Sequence, residues 1–244
     1  MCTLTYLPKA DSGYFLTSNR DENINRNRVN DPGVYSHGLV KVLYPKDATA
    51  GGTWLAVADN GYALCLLNGA FTKHVSEPPY LRSRGLVLLD FFDFNDPKVF
   101  AQMYNFKGIE PFTLVAISDG KGITELRWDG ENIYQMELDP SKSQIWSSVT
   151  LYNEELRLKR EELFRTFLMN HDEINVEDLL QFHHFGGEGV VQPSIKLSLN
   201  ANGVQTISVS CIESKDDQFS FFHEDVLLQK TVLSDLGKSN LKRQ

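Results

Sequence analysis

Residues 2–22 read CTLTYLPKADSGYFLTSNRDE, and this stretch decides the fold. Its two ends are rich in Thr, Tyr, Phe and Leu, and the Asp-Ser-Gly between them is a turn signal. The pattern predicts a hairpin of two antiparallel strands, Cys2–Leu7 and Tyr14–Ser18. Antiparallel pairing places the end of the second strand opposite the start of the first. We therefore expect Asn19–Glu22 to lie beside Cys2.

Cys2 directly follows the initiator Met1. Removal of Met1 would leave Cys2 with a free α-amine on the same residue as its thiol. An α-amine titrates near pH ~8 and a free thiol near ~8.5, so a nearby cation yields a thiolate beside a proton acceptor at neutral pH. This is the chemistry of an N-terminal nucleophile, in which Arg20 would favour the thiolate and Asp21 would accept a hydrogen bond from the α-amine. The alternative is an ordinary Arg-Asp pair at the end of a surface strand.

Several motifs, in order along the first hundred residues, resemble a known family. Asn19–Glu22 (NRDE) after Met1-Cys2, then GGTWLA at 51–56 and Leu67-Asn68, resemble the NRDE proteins, also called transport-and-Golgi-organisation-2-like. The opening is also similar to the choloylglycine hydrolase and penicillin V acylase type of N-terminal nucleophile hydrolases. Those enzymes begin Met-Cys, followed by an Arg-x-x-Asp segment. In this chain the Arg and the Asp are adjacent, so only one of them keeps that register.

The resemblance implies an α+β fold, the four-layer αββα sandwich, and a set of site residues. On the family pattern Cys2 is the nucleophile, Arg20 and Asp21 are its neighbours, and Asn68 donates a hydrogen bond to the oxyanion. An Asn at a strand end also caps turns routinely, which is the alternative role for Asn68. The residues predicted to contact the substrate are Asn19, Trp146, Ser147, Ser148 and Gln205.

Two of these positions depart from the family pattern. Ser148 stands where related proteins carry the Asn of a Leu-Ser-Asn segment, and Gln205 stands where they carry an Arg. A hydroxyl still donates a hydrogen bond, but loss of a cation changes which charged groups a site tolerates. The substrates of relatives that keep the Arg therefore do not transfer to this chain.

The residues favour hydrolysis of an amide carbon-nitrogen bond of a small molecule, without a cofactor or a metal. The resemblance also implies an alternative from another class, because NRDE relatives are linked to haem and lipid handling. In that case the chain is a non-catalytic carrier or trafficking protein for haem or another hydrophobic ligand. A third interpretation is a scaffold whose site has decayed, as Ser148 and Gln205 indicate. Retained Met1 and an inert thiol would favour the carrier.

Length, composition and charge limit the classes of function and cellular location that remain. The chain has 244 residues, of which 41% are hydrophobic, and this length is within the range of one large domain, expected at 1–244. The net charge of −8 argues against nucleic acid as a partner. No secretory signal opens the sequence, and no apolar stretch approaches the ~20 residues of a membrane span. A cytoplasmic location is therefore expected, and the oligomeric state stays open.

The other cysteines and the histidines are predicted to be structural. Cys65 lies in the apolar run Tyr62–Leu67 and is expected in the core. Cys211 ends the strand-like run Thr206–Ser210 and could face the core or the site, of which the core is favoured. His171, His183 and His184 lack the spacing of a metal site, so they are expected to face solvent near a helix end.

The rest of the chain predicts hairpins and helices in a layered α+β arrangement. Strands are predicted at Thr53–Ala58, Tyr62–Leu67, Phe112–Ile117, Ile123–Trp128, Asn132–Glu137, Val204–Glu213 and Phe219–His223. Helices are predicted at Tyr80–Phe94, Pro97–Tyr104, Asn153–Met169 and Val176–Phe182. The segment Asn23–Ala50 is rich in Asn, Gly and Pro and is predicted to be a long loop that forms a functional flap.

Overall fold

The computed structural model describes residues 3–10, 12–26, 29–119, 122–189 and 194–239. Cys2, the predicted nucleophile, lies outside these residues. The strands are β1 (Thr3–Pro8), β2 (Tyr14–Asn23), β3 (Val29–His37), β4 (Val40–Asp47), β5 (Leu55–Ala58), β6 (Tyr62–Asn68), β7 (Phe112–Ser118), β8 (Gly122–Trp128), β9 (Ile133–Leu138), β10 (Gln144–Ser147), β11 (Val204–Lys215), β12 (Gln218–Asp225) and β13 (Lys230–Gly237). The helices are α1 (Arg84–Asp90), α2 (Pro97–Met103), α3 (Glu154–Met169) and α4 (Val176–Phe185), and a short 3₁₀ helix covers Phe91–Asp93.

These strands form two antiparallel sheets. The first sheet has the order β10-β1-β2-β11-β12-β13, and the second has the order β3-β4-β5-β6-β7-β8-β9. Leu4 and Leu16 of the first sheet share one buried core with Val115 of the second. The Sγ atom of Cys65 lies 4.0 Å from the Oγ atom of Ser18, so the two sheets face each other. Because successive strand residues point to opposite faces, the outer face of each sheet is available to helices.

Helices cover both outer faces. The α1 helix packs on β6, and α2 packs on β8 and β9 of the second sheet. On the first sheet, α3 contacts β10, and α4 contacts β2 and β11. The order of layers is therefore helix, sheet, sheet, helix, which confirms the predicted αββα sandwich.

The hairpin that opens the chain has the predicted register. Thr3 pairs with Asn19, and Pro8 pairs with Tyr14. The turn depends on Gly13, whose φ of +84° is unfavourable for other residues. A Cβ atom at this position would lie 1.9 Å from the backbone oxygen of Ser214, so the neighbouring strand leaves no room for one.

The longer helices begin where the sequence supplies a cap. The Asn153 side chain accepts a hydrogen bond from the backbone N–H of Leu156 at the start of α3. At the start of α4, Asn175 and Asp178 form a reciprocal capping box. The four predicted helices are confirmed, although α1 begins only at Arg84. No helix in the described ranges is long and apolar enough to cross a bilayer.

The prediction of a loop over Asn23–Ala50 was wrong. This segment contains β3 and β4, which pair as a hairpin at one edge of the second sheet. In β4 only the start alternates, with Val40 and Val42 buried and the residue between them exposed, and the following residues 43–45 are buried in succession. Pro32 and an irregularity in the pairing between Asn30 and Gly33 conceal the strand pattern of β3. Sequence reasoning also missed β10, which has 4 residues, and β13, which is mostly exposed.

Candidate active site

Two clefts lie side by side near the start of β1. We name the larger one, of about 350 Å³, the arginine cleft. Its walls include Arg20, Arg26, Asp47, Trp54, Ser83 and Asn68. The smaller one, of about 70 Å³, is named the serine cleft, and its walls include Asn68, Trp146, Ser147, Ser148, Arg157 and Glu161. Asn68 lines both clefts, so the two are adjacent.

Arg20 is held rigidly in the wall of the arginine cleft. Its Nη2 atom lies 2.8 Å from Oδ2 of Asp47, and both side chains are almost fully buried. Its guanidinium carbon lies 4.5 Å from the centroid of the Trp54 ring, which is a cation–π geometry. Burial lowers the pKa of Arg20, and the carboxylates of Glu22 and Asp47 oppose that shift. Because the ordinary pKa of a guanidinium lies far above neutral pH, Arg20 remains a cation there.

Asp47 is the residue that holds two arginines in place. Its Oδ2 atom also accepts a hydrogen bond from Nε of Arg26 at 3.1 Å. Its Oδ1 atom accepts from the backbone N–H groups of Thr49 and Ala50. Burial acts to raise the pKa of Asp47, but the N–H of Ala50 together with Arg26 and Arg20 outweighs burial and lowers it. Sequence reasoning missed Asp47 because it treated the surrounding segment as a loop. The available signal was the apolar run Val42-Leu43-Tyr44 that precedes it.

Arg20 and Asp21 point to opposite faces of the first sheet, as adjacent strand residues must. Whereas Arg20 faces the second sheet, Asp21 faces the helical layer. There its Oδ2 atom accepts a hydrogen bond from the hydroxyl of Tyr152 at 2.9 Å, and its Oδ1 atom accepts one from Thr206. Arg20 and Asp21 of the NRDE motif therefore lie on different faces of the first sheet.

The first described residue, Thr3, fixes where the chain enters the sheet. Its backbone pairs with Asn19 on one side and with Ser147 on the other. The start of β1 therefore lies between the NRDE segment and the wall of the serine cleft. The roles predicted for Cys2 stay predictions, because Cys2 is outside the described residues.

Asn68 and Ser148 are brought together although they are 80 positions apart. The hydroxyl of Ser148 donates to the backbone oxygen of Asn68 at 2.8 Å and lies 2.9 Å from the hydroxyl of Thr150. Asn68 ends β6, and Gly69 follows with a φ of +81°. A Cβ atom on Gly69 would lie 2.5 Å from a methyl group of Val149, so only glycine fits this strand exit.

Trp146 is anchored in the wall of the serine cleft. Its indole N–H donates to Oε2 of Glu125 at 2.7 Å. Glu125 is buried and also accepts two hydrogen bonds from Arg127, at 2.7 and 3.0 Å. The Trp146 ring therefore presents a fixed surface to the cleft.

The two other predicted substrate contacts, Asn19 and Gln205, do not line either cleft. Gln205 pairs with Glu22 between β11 and β2. The Asn19 side chain is fully buried on the helical side, and its amide donates to the backbone oxygens of His183 and Ile195 at 3.0 and 3.2 Å. These contacts tie Asn19 to α4 and to the segment that follows it.

The prediction that His183 faces solvent was wrong. His183 is fully buried, with Nδ1 at 2.7 Å from Oδ1 of Asn19 and Nε2 at 2.8 Å from Oγ1 of Thr5. Burial lowers the pKa of His183 to about 3, so the ring is neutral at physiological pH. His183 joins α4 to both strands of the first hairpin. The sequence signal was its position on the apolar side of α4, beside the buried Phe182.

The other two cysteines are in the core, as predicted. Cys65 and Cys211 are both buried and free. Burial raises the pKa of each thiol to about 12, which suppresses the reactive thiolate.

The walls of the arginine cleft present donors without acceptors. Nη1 of Arg20, Nε1 of Trp54 and Oγ of Ser83 are buried, and none has a hydrogen-bond partner within the part of the chain that the structure describes. Ser83 precedes α1, yet its hydroxyl makes no capping hydrogen bond. An unsatisfied buried donor is costly, so these three groups are the energetically strained part of the cleft wall.

Two facing antiparallel sheets between helical layers define the fold of the N-terminal nucleophile hydrolases. Two solved structures of variants of the conjugated bile acid hydrolase from Clostridium perfringens share this fold. The match to the first has a TM-score of 0.61 at 12% identity, and it covers 100% of this chain and 94% of the hydrolase chain. The match to the second has a TM-score of 0.62 at 12% identity, and it covers 99% of this chain and 94% of the hydrolase chain. At this identity the likeness establishes the fold alone.

The family is established by sequence. The profile of the family "Transport and Golgi organisation 2" matches residues 1–184, and the chain belongs to this family. No curated protein matches the sequence.

Proposed function

We propose that the chain is an N-terminal-cysteine amidohydrolase that cleaves an amide carbon-nitrogen bond of a small molecule after removal of Met1. The observation that carries this proposal is the arginine cleft beside the start of β1. There Arg20 is fixed by Asp47 and Trp54, and its Nη1 atom is left without a partner in the described residues. A fixed cation of this kind favours thiolate over thiol, and the N-terminal nucleophile fold is consistent with the chemistry.

The first half of the reaction forms a thioester. The Cys2 sulfur attacks the amide carbonyl carbon, and its proton passes to the α-amine of the same residue. The negative charge that develops on the carbonyl oxygen is stabilised by Asn68 and a second donor. When the tetrahedral intermediate collapses, the carbon-nitrogen bond breaks and the leaving amine takes the proton from the α-ammonium.

Water completes the reaction. The α-amine accepts a proton from water, and the resulting hydroxide attacks the thioester carbonyl. Collapse of the second intermediate releases the acid and returns the proton to the sulfur. In this scheme Arg20 lowers the pKa of the thiol, and Asp21 orients the α-amine.

The proposal is tested by hydrolysis of a library of small carboxamides with protein whose mass shows that Met1 is absent. Cys2→Ala should abolish turnover and leave the melting temperature unchanged. Asn68→Ala should lower kcat by about 10²–10³, the usual cost of losing an oxyanion donor. Cys211→Ala is the matched control, because this buried thiol lies on the helical side of the first sheet. A Cys2→Ala variant that keeps full activity would refute the proposal.

The carrier alternative makes the opposite prediction. A protein that keeps Met1 and has an inert thiol, yet binds haem or another hydrophobic ligand, would support the carrier. The intact mass of the purified protein therefore separates the two functions before any substrate is known.

A further inference from the structure

Arg160 is a cation in the interior of the protein, on the central turn of α3. Its side chain is fully buried and is among the largest that are. Burial of a charge is expensive unless hydrogen bonds compensate for it. The position is informative in the sequence too, because Arg160 and Phe164 are the buried residues of α3 and are four positions apart. The burial of Arg160 therefore depends on hydrogen-bond acceptors from other parts of the chain.

One side of the guanidinium holds the start of the first strand. Nη1 of Arg160 donates to the hydroxyl of Thr3 at 2.7 Å. Nη2 donates to the backbone oxygen of Ser194, and Ile195 offers a second backbone oxygen at 3.5 Å. Thr3 directly follows Cys2 in the sequence. Chain termini are poorly ordered unless they are tied down, and this contact ties down the residue next to the predicted nucleophile.

The other side of the guanidinium acts on Asp21 through a tyrosine. The guanidinium carbon of Arg160 lies 3.6 Å from the centroid of the Tyr152 ring. The hydroxyl of Tyr152 donates to Oδ2 of Asp21 at 2.9 Å. A cation on the face of a phenol ring polarises the ring and strengthens the hydrogen bond that its hydroxyl donates. Arg160 therefore stabilises the position of Asp21 without contacting it.

We propose that Arg160 is a positioning residue, which fixes the start of β1 and the carboxylate of Asp21 relative to each other from the helical layer. The inference rests on the proposed function, in which Cys2 is the nucleophile and Asp21 orients its amine. In that reaction the sulfur and the amine must be held in one geometry, and displacements of about 1 Å are expensive.

The test compares Arg160→Lys with Thr3→Val and Tyr152→Phe, which remove one contact each and leave Arg160 in place. Arg165→Lys is the matched control, because Arg165 lies on the exposed side of the same helix. The first readout is the rate at which iodoacetamide labels Cys2 at pH 7, located by peptide mapping. The second readout is kcat and KM on any carboxamide that the wild-type protein hydrolyses.

Arg160→Lys should slow labelling and lower kcat by about tenfold or more, with KM changed less than about twofold. Thr3→Val and Tyr152→Phe should each show part of this loss. The loss in the double variant should differ from the product of the single losses, because Thr3 and the Tyr152 ring both contact the guanidinium of Arg160. The control should match the wild type. Melting curves of each variant ensure that rates are compared per folded molecule.

Folded Arg160→Lys protein with unchanged labelling and unchanged kcat would overturn the inference and leave the proposed function intact. If Arg160→Lys does not fold, unchanged rates in both Thr3→Val and Tyr152→Phe would overturn it. Failure of the proposed function looks different, since wild-type Cys2 would then label no faster than an ordinary thiol and Cys2→Ala would keep its activity.

Discussion

Substitution of Asp47 by Asn should destabilise the protein and release Arg20. The carboxylate accepts hydrogen bonds from Arg20 and Arg26 on one oxygen and from the N–H groups of Thr49 and Ala50 on the other. The Asn side chain has only one acceptor oxygen. Its NH₂ group must therefore face either the two arginines or the two backbone N–H groups, all of which are donors. Loss of one partner of a buried ion pair costs about 3–5 kcal/mol. The Arg26 side chain is 39% exposed, so solvent screens its ion pair with Asp47. We therefore expect a loss at the low end of that range, about 3 kcal/mol of unfolding free energy.

For a chain of this length each kcal/mol lowers Tm by about 2–4 °C, so the variant should melt about 6–12 °C below the wild type. Urea denaturation with an unchanged m-value would give the same free energy. The control is Glu155→Gln, because Glu155 pairs with Lys159 on the surface and should contribute nothing measurable.

The pKa of Asp47 is lowered in the folded state, so its stabilisation is present above pH ~4 and is lost as pH falls through the folded pKa. The difference between Asp47→Asn and wild type should therefore shrink below pH ~4. Equal Tm values at pH 7 would refute the reasoning.

Three further predictions concern the buried His183, the two core cysteines and the turn of the first hairpin. His183→Leu should lower the free energy of unfolding in urea at pH 7 by about 2–4 kcal/mol, because two buried polar partners lose their hydrogen bonds. Burial lowers the pKa of this histidine from 6.5 to about 3, so the unfolded chain binds more protons than the folded one below pH ~6.5. The stability of the wild type should therefore fall as pH drops from ~6.5, and the variant should lack that part of the pH dependence. Equal slopes of unfolding free energy against pH in the two proteins would contradict this account. Cys65 and Cys211 should resist thiol reagents at pH 8 in the native protein and react only in denaturant, as mass spectrometry would show; native labelling of either would contradict the burial. Gly13→Ala should destabilise by more than ~2 kcal/mol, because its Cβ would meet a backbone oxygen, whereas Gly38→Ala, with open space and a φ of +59°, should cost only about 1–2 kcal/mol; similar melting temperatures for the two variants would be inconsistent with the hairpin geometry.

The first hairpin was predictable because its register depends on local signals. The alternation on each side of a short turn leaves one antiparallel pairing, and that pairing puts Thr3 opposite Asn19. The contact between Asn68 and Ser148 was not predictable from local pattern, since it joins residues 80 positions apart. The family resemblance placed both in one site, and the structure places both beside one cleft.

The residues and strands that sequence reasoning missed have two physical causes. β3 was missed because Asn, Pro and Gly, which usually mark loops, occur here in an edge strand with an irregular pairing, and Asp47 of the neighbouring β4 was missed with it. His183 and Arg160 are polar residues on buried helix faces, where solvent exposure is the usual expectation. Their partners, Thr3, Thr5 and Asn19, lie on another layer, so only the packed structure shows that their hydrogen bonds are satisfied.

The proposed function requires a reactive N-terminal cysteine beside the fixed guanidinium of Arg20. The most direct measurement is the pH dependence of iodoacetamide labelling at Cys2 in protein whose intact mass lacks Met1. The account predicts rapid labelling with an apparent pKa well below the ~8.5 of a free thiol, and a shift back towards that value in Arg20→Gln. Retained Met1, or labelling of Cys2 with an apparent pKa near ~8.5 in the wild type, would contradict it.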